Sequence, residues 1–146
     1  MRIVIVEDDP MNGIVMSKIL ARMGGHHVVV TESVEEVRNL VNSHRADVII
    51  MDVSLSNTLY EGEPIDGIQF TQLLRRASQI PILLATAHAM KGDADRFVKE
   101  SGADGYIAKP ISDPQDLLKS VTGCFEAYQS TNVSATERNN KGNLVF

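Results

Sequence analysis

The sequence predicts one α/β domain built on a doubly wound parallel sheet, with five strands and helices on both faces. Five short apolar runs alternate with segments of helical period, which is the pattern of βαβ units. The chain has 146 residues, of which 43% are hydrophobic, as expected for one domain with one core. Polar side chains follow several of the runs, and parallel strands bring such groups to one edge, where open α/β sheets bind ligands.

The predicted strands are short and rich in β-branched residues, which is typical of strands that are covered on both faces. They span residues 3–6, 28–30, 48–51, 82–85 and 106–108. A helical segment separates each strand from the next, so the connections are expected to be right-handed crossovers between parallel strands.

The first helix is predicted to follow the first strand directly. Asp9 is placed to cap it, Pro10 suits its first turn, and Gly24 marks its end. One stripe of this segment carries apolar residues at four-residue spacing, namely Met11, Val15, Ile19 and Met23. This repeat favours a helix over a strand.

The second and third helices are predicted from their first turns. The second starts at Ser33, and Glu36 completes a capping box, in which each side chain bonds the backbone N–H of the other residue. The third starts at Asp66, with Gln69 three positions later, and is expected to end near Arg76.

The fourth and fifth helices flank the last strand. The fourth is expected over residues 89–101 and ends at Gly102. The fifth begins with Asp113 as its cap and Pro114 behind it. Four apolar residues of this last helix are expected to face the core, namely Leu117, Leu118, Val121 and Phe125.

Two segments fall outside this regular alternation. Residues 53–65 form a long polar connection, whereas a βα loop usually needs about 2–6 residues, so additional structure is expected above the ligand-binding edge. Residues 128–146 are mostly small or polar and have the composition of a flexible tail. The predicted organisation is therefore one domain over residues 1–127 and a tail over 128–146, with no second domain.

Composition excludes several classes of function. The net charge is −5 and no run is rich in Lys or Arg, which argues against a nucleic-acid surface. No apolar run approaches the roughly 18 residues of a membrane span, so we expect a soluble, cytoplasmic protein. Cys124 is the only cysteine and is interpreted as a small core residue.

The polar groups at the predicted sheet edge point to phosphoryl chemistry. Glu7 and Asp8 follow the first strand and Asp52 ends the third, so their carboxylates would repel one another unless a cation lies between them. Mg²⁺ is the favoured ion, with Mn²⁺ as the alternative, because it takes a few carboxylate oxygens and keeps several waters. Lys109 adds a positive charge suited to a phosphoryl group, and the Thr86 hydroxyl can donate to a phosphoryl oxygen. Asp52 is then the phosphate acceptor.

Five motifs in this order resemble the response-regulator receiver domains of two-component signalling, over about residues 1–125. They are IVIVEDDPMN, VIIMDVSL, the DG pair at residues 66–67, ILLATAHAMKGD and GADGYIAKP. The resemblance implies a CheY-like, flavodoxin-like (βα)5 fold with strand order 2-1-3-4-5. The stretch AHAMKGD is similar to single-domain regulators of the DivK type and to the receivers of hybrid histidine kinases.

The resemblance also implies roles for individual residues. Asp8 and Asp52 would bind Mg²⁺ directly, Glu7 would do so directly or through water, and the backbone carbonyl of Ser54 would complete the protein ligands. Lys109 would contact the phosphoryl group on Asp52. The switch pair would be Thr86 and Tyr106.

By the same resemblance, the protein would be a single-domain response regulator. Asp52 would receive phosphate from a sensor histidine kinase or a histidine phosphotransfer protein. Phosphorylation would change the surface of the fourth helix, fifth strand and fifth helix, which would contact a downstream protein or a second copy of the chain. The protein would be a signalling phosphoacceptor that catalyses only its own phosphorylation and dephosphorylation, and not an enzyme with an external substrate.

Two other classes of function stay open at this point. The first is a receiver-fold scaffold that binds a partner without phosphorylation, through the long loop and the tail. The second is an Mg²⁺-dependent phosphohydrolase with Asp52 as its nucleophile. Against the second stands Ser54, which occupies the position two residues after Asp52 where a second carboxylate would act as general acid.

Overall fold

A computed structural model describes residues 1–88 and 90–143 of the chain. Its strands are β1 (Arg2–Val6), β2 (His27–Thr31), β3 (Val48–Asp52), β4 (Leu59–Tyr60), β5 (Glu63–Pro64), β6 (Ile82–Thr86) and β7 (Gly105–Ala108). Its α-helices are α1 (Pro10–Lys18), α2 (Val34–Asn42), α3 (Gly67–Arg75), α4 (Lys91–Ser101) and α5 (Pro114–Asn143), and a π-helical turn (Ile19–Met23) continues α1.

Five of the strands form a parallel sheet in the order β2-β1-β3-β6-β7. Numbered among themselves, these strands have the order 2-1-3-4-5, so the predicted flavodoxin-like fold is confirmed. Alternate residues of the central strands face opposite layers. Val4 and Met51 pack with α2, α3 and α4, whereas Ile5 and Ile50 pack with α1 and α5. The core therefore has two halves, one on each face of the sheet.

Apolar residues of α1, of its π-helical continuation and of β2 are partly exposed. Met16 and Leu20 are buried, whereas the predicted apolar stripe is largely exposed, with Met11 at 67%, Val15 at 44% and Met23 at 54%. The valines of β2 are also partly exposed, and only Ile107 of β7 is buried. The expectation of strands covered on both faces therefore holds for β1, β3 and β6 and is wrong for the edge strands β2 and β7.

The helix caps follow the sequence, with one change at α2. Ser33 Oγ accepts a hydrogen bond from the Glu36 N–H, but the Glu36 carboxylate accepts from the Thr31 hydroxyl and does not reach the Ser33 N–H. Thr31 Oγ1 accepts that N–H instead, so the predicted reciprocal capping box at α2 is wrong and a three-residue relay replaces it. At α3 the full capping box forms between Asp66 and Gln69, as predicted.

The last two helices differ from their predicted bounds. The predicted start of α4 at Ala89 lies outside the described residues, and the helix ends before Gly102, whose φ of 83° lies in the left-handed region. α5 begins behind Asp113 as predicted but continues to Asn143, so the expected tail is helical over residues 128–143. Extending an existing helix needs no new nucleation, and no proline interrupts this segment.

The long connection over residues 53–65 folds into a two-stranded hairpin. Strands β4 and β5 pair antiparallel around Glu61 and Gly62, both of which have positive φ, as a tight two-residue hairpin turn requires. The Ile65 N–H donates to the carbonyl oxygen of Thr58 at 2.9 Å and closes the base of the hairpin. The additional structure expected above the sheet edge is therefore an ordered element. Across the described residues, no helix has both the length and the apolar composition needed to cross a membrane.

Candidate functional site

The carboxyl ends of β1 and β3 bring three carboxylates into one pocket. Glu7 and Asp8 follow β1, and Asp52 is the last residue of β3, the neighbour of β1 in the sheet. One carboxylate oxygen from each residue lies within 4.8 Å of the others. Glu7 and Asp52 are buried, so Asp8 is the member of this cluster with the greatest access to solvent.

Lys109, directly after β7, supplies positive charge to the pocket. Its Nζ lies 2.8 Å from Asp52 Oδ1 and 3.3 Å from Glu7 Oε2. Partial burial disfavours the ammonium form, but the hydrogen bonds and negative charge of the two carboxylates outweigh burial and raise the pKa of Lys109. Lys109 is therefore a cation that bridges Glu7 and Asp52.

Glu7 holds its proton more readily than an ordinary carboxylate does. Burial and the neighbouring Asp52 carboxylate raise its pKa to about 7, against the opposing effects of the Asp9 N–H and Lys109. One ammonium group thus serves two buried carboxylates. The excess negative charge is relieved by protonation of Glu7 as the pH falls below neutrality.

Asp52 is fixed by backbone contacts as well as by Lys109. Its Oδ1 also accepts a hydrogen bond from the Ser54 N–H at 3.0 Å. The start of α3 packs against the backbone of Asp52, because a Cβ atom on Gly67 would overlap the carbonyl oxygen of Asp52. Only glycine fits at that helix start without displacing the end of β3.

Asp8 is held by the long connection between β3 and α3. Its Oδ2 accepts hydrogen bonds from the Ser56 N–H at 2.7 Å, the Ser56 hydroxyl at 2.9 Å and the Asn57 N–H at 3.3 Å. Partial burial disfavours ionisation of Asp8, but these donors outweigh it and lower the pKa of Asp8 below its ordinary value. Nothing in the sequence indicates these partners of Asp8 except the length of the loop.

Thr86 and Tyr106 lie on the same face of the sheet. Thr86 is buried at the end of β6, and its Oγ1 accepts the His88 N–H at 2.9 Å. Tyr106 pairs in register with Leu84, two positions before Thr86 on β6. Residues paired in a parallel sheet point to the same side, as do alternate residues of one strand. The fold therefore places the two predicted switch residues next to one another along the sheet.

The sequence matches the family model for the response regulator receiver domain over residues 3–122. The chain belongs to this receiver family. This receiver domain is 32% identical over 126 residues to the polar-differentiation response regulator DivK of Brucella anthropi, an alignment covering 83% of this chain and 95% of that protein. It is equally similar, at 32% identity over 126 residues, to the DivK of Brucella ovis.

Solved receiver structures share the fold of this receiver domain. The receiver domain of the TMAO respiratory system response regulator TorR aligns with a TM-score of 0.67 and 28% identity, over 84% of this chain and 93% of that one. The Francisella response regulator 1452 receiver domain aligns with a TM-score of 0.69 and 20% identity, over 87% of this chain and 98% of that one. At 20% identity, the Francisella comparison supports the fold alone.

Receiver domains bind Mg²⁺ at an acidic pocket, and the pocket of this receiver domain fits such an ion. Three convergent carboxylate oxygens are hard ligands, and the half-buried Asp8 leaves access for the waters that Mg²⁺ retains. Glu7, Asp8 and Asp52 are the residues that would hold the ion. The backbone carbonyl of Ser54 as a further ligand stays a prediction.

Cys124 plays no part in this pocket. It is half-buried against the apolar core under α5, and burial raises the pKa of its thiol to about 11. The thiol is therefore protonated at neutral pH and packs as a small apolar side chain, in line with the interpretation from the sequence.

Proposed function

We propose that Asp52 of this receiver domain is the residue that accepts a phosphoryl group. The observation that supports this most strongly is the environment of its carboxylate, which is buried, in contact with the Lys109 ammonium and within 4.8 Å of Glu7 and Asp8 oxygens. A cation, a nucleophilic carboxylate and a candidate ion site are thereby concentrated at one end of β3.

The proposed reaction transfers a phosphoryl group from a histidine nitrogen to a carboxylate oxygen of Asp52. An oxygen of Asp52 forms a bond to the phosphorus of a phosphohistidine while the phosphorus–nitrogen bond breaks, and the released imidazole takes a proton from solvent. Bound Mg²⁺ supplies charge stabilisation for the phosphoryl oxygens in the transition state. Lys109 holds Asp52 in place beforehand and is close enough to contact a phosphoryl oxygen once the bond has formed.

The proposed output is a change in surface, transmitted by Thr86 and Tyr106. The Thr86 hydroxyl is the polar group at the end of β6 next to the pocket strand β3, and it can donate to a phosphoryl oxygen on Asp52. Moving Thr86 towards the pocket would change the space available to Tyr106 on the same face. Phosphorylation shifts the populations of two such arrangements only as far as it stabilises one of them more than the other.

The proposed partners follow from the receiver family and are proteins. A sensor histidine kinase or a histidine phosphotransfer protein would supply the phosphoryl group. The downstream target would bind the surface formed by α4, β7 and α5. A homodimer through that same surface stays a prediction, and a cytoplasmic location is part of this proposal.

The test of Asp52 is the intact mass of the protein after incubation with acetyl phosphate or phosphoramidate, with and without Mg²⁺. We expect one phosphoryl adduct on the wild type with Mg²⁺ and none on Asp52→Asn. Asp95→Asn is the matched control, because Asp95 is an exposed carboxylate on α4, and it should be labelled like the wild type.

Either of two results would contradict the proposal. An adduct that persists on Asp52→Asn would assign the acceptor to another residue. A wild type that stays unlabelled at every Mg²⁺ concentration would favour the scaffold that signals without phosphate.

A further inference from the structure

We propose that Ser56 is a positioning residue, which fixes one oxygen of Asp8 so that the other is presented to the metal ion. This inference rests on the proposed metal-dependent function of the acidic pocket. Ser56 itself lies outside the proposed set of metal ligands. It belongs to the loop of residues 53–65, which carries the β4–β5 hairpin. The observation behind it is the set of three hydrogen bonds that meet at Asp8 Oδ2.

The negative charges of the three carboxylates in the pocket are stabilised in two different ways. Lys109 contacts Glu7 and Asp52. Among the side chains that the structure describes, no cation lies within ion-pair distance of Asp8, and neutral donors from the loop surround it instead. Hydrogen bonds to a charged acceptor are short and strong, so these donors stabilise the ionised form that a metal ion requires.

Only one of the two Asp8 oxygens is used by the loop. All three donors converge on Oδ2, and the carboxylate still offers Oδ1. A metal ligand whose outer atom is held by hydrogen bonds keeps its orientation, and the loss of such supports typically lowers metal affinity by 10–100-fold. The hydrogen bonds from Ser56 thus orient Asp8 and leave Oδ1 available to the ion.

The loop is prepared for this role by its own packing. Leu55 immediately precedes the exposed pair Ser56 and Asn57 and is buried in the core, and Thr58 immediately after the pair is also buried. The Thr58 carbonyl accepts the Ile65 N–H and closes the hairpin. Ser56 is therefore held between two anchors, and little conformational entropy is lost when it bonds Asp8.

The contact also couples the hairpin to the pocket. If the ion binds more tightly when Ser56 holds Asp8, then ion binding must stabilise the loop conformation that makes this contact, by the same factor. The hairpin β4–β5 lies only a few residues beyond Ser56. Occupancy of the pocket is thereby transmitted to a surface element that is separate from the α4–β7–α5 surface.

The first test is metal affinity, measured for Mn²⁺ by electron paramagnetic resonance and for Mg²⁺ by calorimetry. Ser56→Ala keeps both backbone donors and loses the hydroxyl, so we expect affinity about tenfold weaker, at the lower end of the range for such supports. Ser56→Thr restores a hydroxyl and should recover most of the wild-type affinity. Ser112→Ala removes an exposed hydroxyl from the loop before α5 and should bind like the wild type.

The second test is hydrogen exchange of the amides of residues 56–63, with and without Mg²⁺. We expect Mg²⁺ to slow exchange in the wild type and in Ser56→Thr, and to slow it much less in Ser56→Ala. This readout needs no phosphoryl donor. Thermal unfolding of each metal-free variant checks that Ser56→Ala is folded, as expected for a substitution at an exposed site.

The outcomes separate this inference from the function on which it rests. A wild type that binds neither ion overturns both. A wild type that binds while Ser56→Ala binds equally well or more tightly overturns the positioning role alone, because the hydroxyl would then be neutral or a competitor. Weakened binding that Ser56→Thr does not restore also overturns it.

Discussion

At the scale of single residues, the three carboxylates of the pocket differ in the groups that stabilise their negative charge. Lys109 serves Glu7 and Asp52, while backbone and hydroxyl donors serve Asp8. An unpaired buried carboxylate is costly, so the metal-free pocket relies on protonation as well as on ion pairing. The same residues that prepare the site for a cation therefore make its metal-free form sensitive to pH.

The raised pKa of Glu7 predicts a pH dependence of stability. The pKa of Glu7 is 4.5 in the unfolded chain and about 7 in the folded chain, so the folded state binds more protons between these pH values. The stabilisation by this proton is complete below the lower value and is lost as the pH rises through the upper one. In chelator, the free energy of unfolding should fall by up to about 3 kcal/mol between about pH 5 and pH 8.

Denaturant titrations of the wild type and Glu7→Gln over this pH range check the prediction. Glu7→Gln cannot ionise, so its stability should change less with pH. Glu126→Gln alters an exposed carboxylate on α5 and should keep the wild-type profile. A Glu7→Gln profile as steep as that of the wild type would assign the dependence to other groups.

At the scale of elements, the site depends on how closely α3 approaches β3. The helix starts at Gly67, whose N–H donates to the Val53 carbonyl, and its first turn is closed by the capping box of Asp66 and Gln69. The close approach leaves no room for a side chain at residue 67. The cap and the glycine together determine where the acceptor strand ends.

We predict that Gly67→Ala is severely destabilising and impairs phosphorylation. The new methyl group would overlap the Asp52 carbonyl and displace the acceptor, at a cost of about 3 kcal/mol or more. Gly123→Ala is the matched control, because a Cβ there meets no neighbour and the residue lies within α5. That control should gain about 0.5–1 kcal/mol from helix propensity.

Urea unfolding and the phosphoryl-adduct assay measure both effects for each alanine variant. If Gly67→Ala unfolds at the wild-type midpoint and is labelled normally, the close contact between α3 and the Asp52 backbone is not a constraint.

At the scale of the whole molecule, the residues of α5 that the structure places in the two-sided core lie in the first half of that helix. Leu117 and Val121 are buried under the sheet, and the family match ends at residue 122. Beyond residue 127 the helix continues, with Tyr128 half-buried. Residues 129–132, the next four of α5, are exposed and contribute little to the core of the domain.

We predict that residues 1–127 fold as a cooperative unit without residues 128–146. The loss in stability should be about 1 kcal/mol, the value for a partly buried side chain such as Tyr128. Circular dichroism during urea unfolding of the shortened and full chains measures this difference, and both should accept phosphate equally. A broad, non-cooperative transition in the shortened chain would place the domain boundary further along α5.

The sequence determined the sheet, the order of elements and most of the acidic pocket. Strand and helix periods are local properties, and the carboxyl ends of parallel strands must meet at one edge of the sheet. The sequence alone therefore predicts that Asp8, Asp52 and Lys109 lie close together. The resemblance to receiver domains then supplied the strand order. Apart from the strand order, these inferences needed only periodicity and spacing along the chain.

Tertiary structure alone decided the partners of Asp8 and the side of α1 that is buried. Ser56 lies 48 positions from Asp8, and nothing in the spacing indicates that its N–H and hydroxyl meet that carboxylate. The apolar stripe that contains Val15 is partly exposed, whereas Met16 and Leu20 are buried. Both results depend on how segments that are distant in the sequence pack against one another. Hydrogen-bond geometry and close packing select one arrangement among several that the local sequence patterns favour equally.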